Sequence, residues 1–262
     1  FAMLVQLGGE CAGAVTLLPE TAPPPETNSS YRPLAESEVA EVLKTLPRRP
    51  LLAGEEGVRL SLAGAQEKIA VHLGDGRIAL PLDGSPSTHI LKPAIESFAG
   101  LVFNEAFCMK LAKSVGLPAA EVEIESAGGV TYLRVTRYDR LRAGDKIVRL
   151  HQEDFCQALG IVPERKYQSE GGPSLKQSFA LLREASTVPA IDLQRLLDTV
   201  IFNYLIGNND AHGKNFSLLY DGEAVRLAPL YDAVSTVFYP ELSDKMAMKI
   251  GSNYKFSEVQ AR

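Results

Sequence analysis

Asp210 and Asn215 stand five residues apart in the stretch Leu205-Ile206-Gly207-Asn208-Asn209-Asp210-Ala211-His212-Gly213-Lys214-Asn215. That is the spacing of a phosphoryl-transfer loop. In such a loop the carboxylate orients an attacking hydroxyl and takes its proton, while the amide oxygen binds magnesium. Beyond it, Phe216 to Tyr220 and Val225 to Leu230 are apolar runs on either side of Asp221-Gly222, which predicts a β-hairpin. The hairpin would return the chain so that Asp232, after Tyr231, lies beside Asn215 as a second hard oxygen ligand for a phosphate-bound Mg²⁺. The same residue types also suit a plainer role, because Asn, Asp and Gly cluster in turns. Asn208 to Gly213 would then be a helix C-cap running into a loop.

Other residues upstream bear on that choice. Ser61-Leu62-Ala63-Gly64-Ala65-Gln66-Glu67-Lys68 is a small-residue turn between two alternating stretches, Val58 to Leu62 and Ile69 to Leu73. Small side chains there let backbone N–H groups approach phosphates, although one glycine also suits a tight hairpin. Lys92 lies in the apolar strand His89-Ile90-Leu91-Lys92, either on a solvated face or as a cation pairing nucleotide phosphates. Glu105, early in the next helix, would hold Lys92 by an ion pair or simply favour the helix N-terminus. Tyr138-Asp139-Arg140 closes the last strand of this region, where a hinge would hold an adenine or a core tyrosine would pack. His212 stands two residues past Asp210, in reach of a transferring phosphoryl group. No two histidines have metal-ligand spacing; His72 and His89 read as strand-face residues and His151 as a helix start.

The elements that must position these residues are predicted as follows. Residues 1–18 read as the tail of a preceding subdomain, with a strand from Gly13 to Leu18. Residues 19–50 read as a proline-rich linker through Pro33 and a short helix from Ser37-Glu38 to Leu46. A small, mostly antiparallel β lobe follows over 51–140, with strands at Ile78 to Leu82, Val122 to Ile124 and Val130 to Tyr138. Its one helix, Asn104 to Val115, carries Phe103, Phe107, Leu111 and Val115 on one side. A helical lobe over 141–262 has helices Gln152 to Leu159, Ser174 to Glu184 and Asp192 to Ile206, the last capped by Asp192. Lys166 to Pro173 reads as a mobile surface loop. The fold class is α+β, bilobal and protein-kinase-like.

A net charge of −5 argues against a general nucleic-acid-binding surface. Cys11, Cys108 and Cys156 lack C-x-x-C spacing, which points to reduced thiols in a cytoplasmic setting, with Cys108 and Cys156 in the core. No apolar run reaches membrane-spanning length, and the first 18 residues lack a basic n-region, so neither a span nor a signal peptide is expected.

The order of these pieces, and the words in which they are written, resemble the HipA family of bacterial toxin kinases. The words are Ser61 to Lys68, Thr88-His89-Ile90-Leu91-Lys92-Pro93, Asn104-Glu105, Arg137-Tyr138-Asp139-Arg140, Gln152-Glu153-Asp154 and the Asp210 loop, spanning about Val58 to Pro240. The resemblance implies a serine/threonine protein kinase that uses ATP and Mg²⁺ and acts as the toxin of a toxin–antitoxin pair. It implies a protein substrate such as an aminoacyl-tRNA synthetase, and a helix-turn-helix antitoxin of the HipB type through which operator DNA is mainly contacted. Carried over position by position, Asp210 is the catalytic base, and Asn215 and Asp232 are the magnesium ligands. Ala63, Gly64, Ala65, Gln66, Glu67, Lys68 and Lys92 match the phosphate-binding positions, and Thr136, Arg137, Tyr138, His212 and Tyr231 match nucleotide-contacting ones. Ser61 matches the autophosphorylation site, where about −1.5 to −2 added charges would repel ATP phosphates. Relatives often have Glu where Thr136 stands, which removes one adenine contact, and they extend further at both ends. The readings set against this one are a small-molecule kinase of the aminoglycoside-phosphotransferase type and a non-catalytic nucleotide-binding scaffold.

Overall fold

The structure is a computed structural model, and it describes residues 12–15, 29–46, 67–144 and 146–260. By their contacts these residues form two compact units. One takes the described residues up to Val102 together with Glu121–His151; the other takes Phe103–Ala120 and everything from Gln152 onward. The fold is mixed α and β, with antiparallel sheets.

The first unit is built on strands β1 (Ser30–Pro33), β2 (Ile69–Gly74), β3 (Arg77–Leu82) and β4 (His89–Pro93), with helix α1 (Glu36–Thr45) following β1. The next helix is α2 (Leu101–Ser114), followed by β5 (Val122–Ala127) and β6 (Val130–Thr136). The sheet order is β1-β3-β2-β4-β6-β5. Each pairing is antiparallel, as short hairpins dictate: β2 and β3 turn at Asp75-Gly76, and β5 and β6 at Gly128-Gly129, all four at positive φ. Apolar residues of these strands are buried in consecutive runs, as at Ile69 to Val71. Ile69, Val71, Leu80, Leu91 and Tyr132 meet Val39 and Leu43 of α1 and Leu46 just past it in one core.

Two expectations change here, and a third falls outside the described residues. The stretch through Pro33 is not all linker: Ser30–Pro33 pairs with β3, Tyr31 opposite Pro81, because an edge strand tolerates proline. Ala12–Val15 make a turn and not a strand, with the Gly13 N–H held by the Asp139 carboxylate at 2.8 Å. The strand Val58 to Leu62 and the phosphate-loop word Ser61 to Gln66 lie outside the described residues.

The second unit contains most of α2. It continues after the hairpin β7 (Arg140–Ala143) and β8 (Lys146–Arg149) with β9 (His151–Asp154), α3 (Phe155–Ala158), α4 (Leu175–Ala185) and α5 (Pro189–Leu205). It ends in the hairpin β10 (Ser217–Asp221) and β11 (Ala224–Leu227). β9 lies beside β10 in a three-stranded sheet. The predicted helix from Gln152 is thus a strand as far as Asp154, since pairing with a distant strand outweighs the local pattern. His151 accordingly opens a strand and not a helix. Asp154 caps the helical remnant, its carboxylate taking the Gln157 N–H at 2.9 Å.

Phe155, Leu182, Leu196, Phe216, Leu218, Leu227 and Met248 form the core of this unit. Asp192 does not cap α5, which starts at Pro189; it is buried inside the first turn. Nor do the large apolar residues of α2 define its inner face. Phe103, Phe107 and Val115 are 58, 67 and 61% exposed, while Val102, Ala106, Cys108, Met109 and Ala112 are buried. Among the described residues no helix is long and apolar enough to cross a membrane.

Candidate active site

The 208–215 loop of the second unit starts where α5 ends. Gly207 leaves the helix at φ +68, a left-handed exit that a side chain would resist, and a Cβ there would meet Val237 at 2.4 Å. Asn203, Asn208 and Asp210 are then linked by amides. Asn203 Nδ2 donates to the Thr199 carbonyl at 3.0 Å, and Asn208 Nδ2 donates to Asn203 Oδ1 at 2.7 Å. Asn208 Oδ1 in turn accepts the Asp210 N–H at 3.0 Å. The Asn209 N–H donates to Thr236 Oγ1 at 2.7 Å, and its carbonyl accepts the Ala247 N–H at 2.8 Å. The backbone under Asp210 is therefore fixed from both sides, while its side chain remains half exposed.

His212 is buried, and burial lowers its imidazole pKa below the ordinary 6.5, the nearby Asp210 charge only partly offsetting this. Its Nε2 lies 3.9 Å from Asp210 Oδ2, so the two do not form an ion pair at neutral pH, and its Nδ1 has no partner among the described residues. Asn215 Oδ1 accepts the His212 N–H at 3.2 Å, and Asn215 Nδ2 faces Asp232 Oδ2 at 3.4 Å. The β10–β11 hairpin brings this pair together. It turns at Gly222-Glu223, one residue later than the sequence suggested, with Asp221 opposite Ala224. Tyr231 precedes Asp232 with its hydroxyl donated to the Lys214 carbonyl at 2.8 Å and 2.7 Å from Ser217 Oγ. Lys214 Nζ meets Asp154 Oδ2 at 2.6 Å, tying the loop to the N-cap of α3.

Tyr167 was passed over in the sequence. Its hydroxyl donates to Asp210 Oδ1 at 2.6 Å, and its ring stands edge-on to His212, centroids 5.4 Å apart. Burial, then that carboxylate, push the phenol above its ordinary 10, so it remains a donor. The stretch Lys166 to Pro173, read from the sequence as a surface loop, contains a 3₁₀ turn at Gln168–Glu170, and another, Pro163–Arg165, immediately precedes it. Its only sequence signal was an aromatic residue beside Lys166 in a glycine-rich polar stretch.

The remaining site residues lie in the first unit. Glu67 and Lys68 precede β2 and are half-buried, while Ser61, Ala63, Gly64, Ala65 and Gln66 lie outside the described residues. Lys92 sits in β4 opposite Leu133 and is 6% exposed, which removes the solvated-face reading. Glu105, in α2, is buried as well. Thr136 ends β6 opposite His89. The Arg137 guanidinium is committed to Asp139, at 2.9 and 2.7 Å, and to Ser87 Oγ at 2.9 Å. Burial alone would raise the Asp139 carboxyl, but Arg137, Arg140 and the Gly13 N–H hold it below the usual range. Tyr138 is half-buried between them.

The family model described as the HipA-like C-terminal domain matches residues 60–262. Y4mE of Sinorhizobium fredii, a protein named as an inferred kinase, is 55% identical over the whole chain, which covers 63% of it. The serine/threonine-protein kinase toxin HipA of Shewanella oneidensis is 32% identical, again over the whole chain and 62% of the relative. The solved complex of Shewanella oneidensis HipA with HipB and operator DNA superimposes with a TM-score of 0.83 at 31% identity, over 98% of this chain and 62% of that one. The chain thus spans a little under two thirds of the length of these relatives. With well over half of its residues matched by the family model, it belongs to the HipA-like C-terminal domain family.

Proposed function

We propose that the chain is the catalytic part of a protein kinase of the bilobal, HipA-toxin kind, transferring a phosphoryl group from ATP to a serine or threonine hydroxyl. The observation that carries this is the meeting of Asp210, His212, Asn215 and Asp232 around one loop and one hairpin of the second unit. Asp210 is half exposed on a fixed backbone, as a base that must meet an incoming hydroxyl has to be. It orients that hydroxyl and accepts its proton at a carboxylate oxygen. The neutral His212 beside it adds no competing positive charge.

The residue types suit a hard cation. Asn215 Oδ1, which here accepts the His212 N–H, and the Asp232 carboxylate, which here faces Asn215 Nδ2, are the oxygens that would hold it, and the described residues contain no cluster of three or more His, Cys, Asp or Glu that would hold a metal by itself. Magnesium is commonly held by only one or two protein oxygens, with water and phosphate completing its shell. Mg²⁺-ATP, when bound, supplies the transferable phosphoryl group with its charge partly neutralised. Lys92, buried in β4, is the cation for the nucleotide phosphates. Lys68 and the loop before it, with Thr136 to Tyr138 and Tyr231, are the remaining nucleotide contacts. Autophosphorylation at Ser61 would switch the enzyme off. The substrate we propose is a translation component such as an aminoacyl-tRNA synthetase, and the solved HipA–HipB–operator complex of the Shewanella relative supports a HipB-like antitoxin that brings operator DNA.

Labelled ATP incubated with the full-length protein, with and without bacterial extract, tests this beside Asp210→Asn. Label on Ser61 and on an extract protein, lost in the variant while nucleotide binding persists, is the expected result. Binding without transfer would point to a scaffold, and label confined to small molecules would point to a small-molecule kinase.

A further inference from the structure

The segment from Pro163 to Pro173 is built to hold one side chain in place. Gly171 reverses the chain at φ +92, and the Gly172 N–H returns to the Tyr167 carbonyl at 2.9 Å. A Cβ on Gly172 would stand 2.4 Å from the Arg165 carbonyl oxygen and 2.7 Å from that of Tyr167, so the fold-back tolerates only glycine. On either side of Tyr167 the backbone is tied down. The Lys166 carbonyl accepts the Gly213 N–H at 3.4 Å, and the Gln168 N–H donates to the Ala247 carbonyl at 3.0 Å. Gln168 Oε1 accepts the Lys249 N–H at 2.8 Å, and Ala247 is itself bonded to Asn209. The Tyr167 ring rests edge-on to His212, with the Lys166 ammonium 5.0 Å from its centroid.

This scaffolding ends in one contact, the 2.6 Å hydrogen bond from the Tyr167 hydroxyl to Asp210 Oδ1. Among the described residues no other group donates a hydrogen bond to that carboxylate, since neutral His212 stands too far away at 3.9 Å. An aspartate that is half exposed and otherwise free about two torsions would spend much of its time misdirected. One short bond to a rigidly held donor removes that freedom and leaves Oδ2 for the acceptor hydroxyl.

We propose that Tyr167 is a positioning residue for phosphoryl transfer, holding Asp210 by Oδ1 so that Oδ2 faces the attacking hydroxyl. This rests on the reading of Asp210 as proton acceptor. The tie between residues 166–168 and both the catalytic loop and residues 247–249 favours a permanent brace over a plug that substrate must displace.

The test uses full-length protein carrying Tyr167→Phe, which keeps the ring against His212 and deletes only the hydroxyl. The expected result is a kcat lowered about tenfold, with KM for ATP and for the protein acceptor within about twofold of wild type and an unchanged melting temperature. A low-field hydroxyl proton resonance, present in wild type and absent from both Tyr167→Phe and Asp210→Asn, reports the bond without reference to activity. An unchanged rate, a rate raised by removing a plug, a loss expressed only in KM, or no such resonance in wild type would each overturn the proposal. Asp210→Asn is assayed in parallel for transfer: undiminished transfer there would instead refute Asp210 as the base.

Discussion

Replacing Asp192 with alanine is expected to weaken the second unit severely, and the structure sets the scale. The carboxylate is fully buried in the first turn of α5, where it accepts Arg226 Nε and Nη2 at 3.0 Å each, Ser186 Oγ at 2.7 Å and the Leu227 N–H at 3.0 Å. Burial would raise its pKa; the bonds from Arg226, Ser186 and Leu227 more than reverse this and hold it below the usual 3.8. Alanine strands the Leu227 N–H, at about 1–3 kcal/mol for a buried donor, and the Ser186 hydroxyl at roughly 1 kcal/mol. Arg226 is about one-third exposed and regains water, so it adds less. The total is about 3–5 kcal/mol, the range for breaking one side of a buried ion pair. At a urea slope of about 2 kcal/mol per molar, the unfolding midpoint should fall by roughly 2 M. Asp192→Asn, which keeps the volume and loses the charge, should fall between the two. Because the folded pKa is depressed, wild type should keep its advantage over Asp192→Asn above about pH 4 and lose it as pH drops below 3.8 through the folded value. A midpoint shift under about 0.5 M for alanine, followed by circular dichroism, would refute the reasoning.

Two further outcomes follow from close contacts and burial. Gly213→Ala would place a Cβ 2.5 Å from Pro173 Cγ and 2.9 Å from the buried Cys156 Sγ. The 208–215 loop must shift, and on the proposed function transfer should fall more than tenfold with a stability loss of about 1–3 kcal/mol, read by labelled ATP and by thermal melting. His89 is held down to about 4 by burial first and by Arg134 second. Its Nδ1 is hydrogen-bonded to Thr88 Oγ1 at 2.8 Å, and Thr88 Oγ1 also takes the Leu73 N–H. The unfolded chain therefore takes up a proton near pH 6.5 that the native state refuses until about pH 4, and stability should decline across that window as pH falls. His89→Gln should flatten the decline, and an NMR titration that finds His89 near 6.5 in the folded protein would contradict it.

What was legible in the sequence was what local pattern controls. Alternation marked β2, an apolar run marked β3, and the apolar runs around Asp221-Gly222 marked the hairpin that sets Asp232 beside Asn215. What was hidden depends on distant partners. His151–Asp154 has no alternation and becomes a strand because β10 lies next to it, and Ser30–Pro33 becomes one because β3 offers an edge. Asp192 looked like a helix cap by its letter and neighbours, yet the residues that use it, Arg226 and Leu227, are more than thirty positions away. The inner face of α2 was missed because side-chain size suggested Phe103 and Phe107, whereas the buried side is Val102, Ala106, Cys108, Met109 and Ala112. Tyr167 was hidden for the same reason as β9, since nothing near position 167 announces an aspartate 43 residues later.

The backbone at Asp232 shows how the candidate site holds its least comfortable member. Its φ of +60 is left-handed, as at Asp75 and Asp83. Those two sit in turns followed by Gly76 and Gly84, also at positive φ, where such a conformation is part of the turn. Asp232 lies past the end of β11 with no glycine following, and for a non-glycine residue this conformation costs of order 1 kcal/mol or more. Such strain persists only where the surroundings over-determine it. Immediately before Asp232, Tyr231 is pinned through its hydroxyl to the Lys214 carbonyl and to Ser217, while Lys214 is pinned to Asp154. The tyrosine therefore couples the conformation of Asp232 to the same loop that carries Asp210 and Asn215. Strain held at a carboxylate that faces Asn215 Nδ2 at 3.4 Å is consistent with the proposed role of Asp232 as a preorganised ligand.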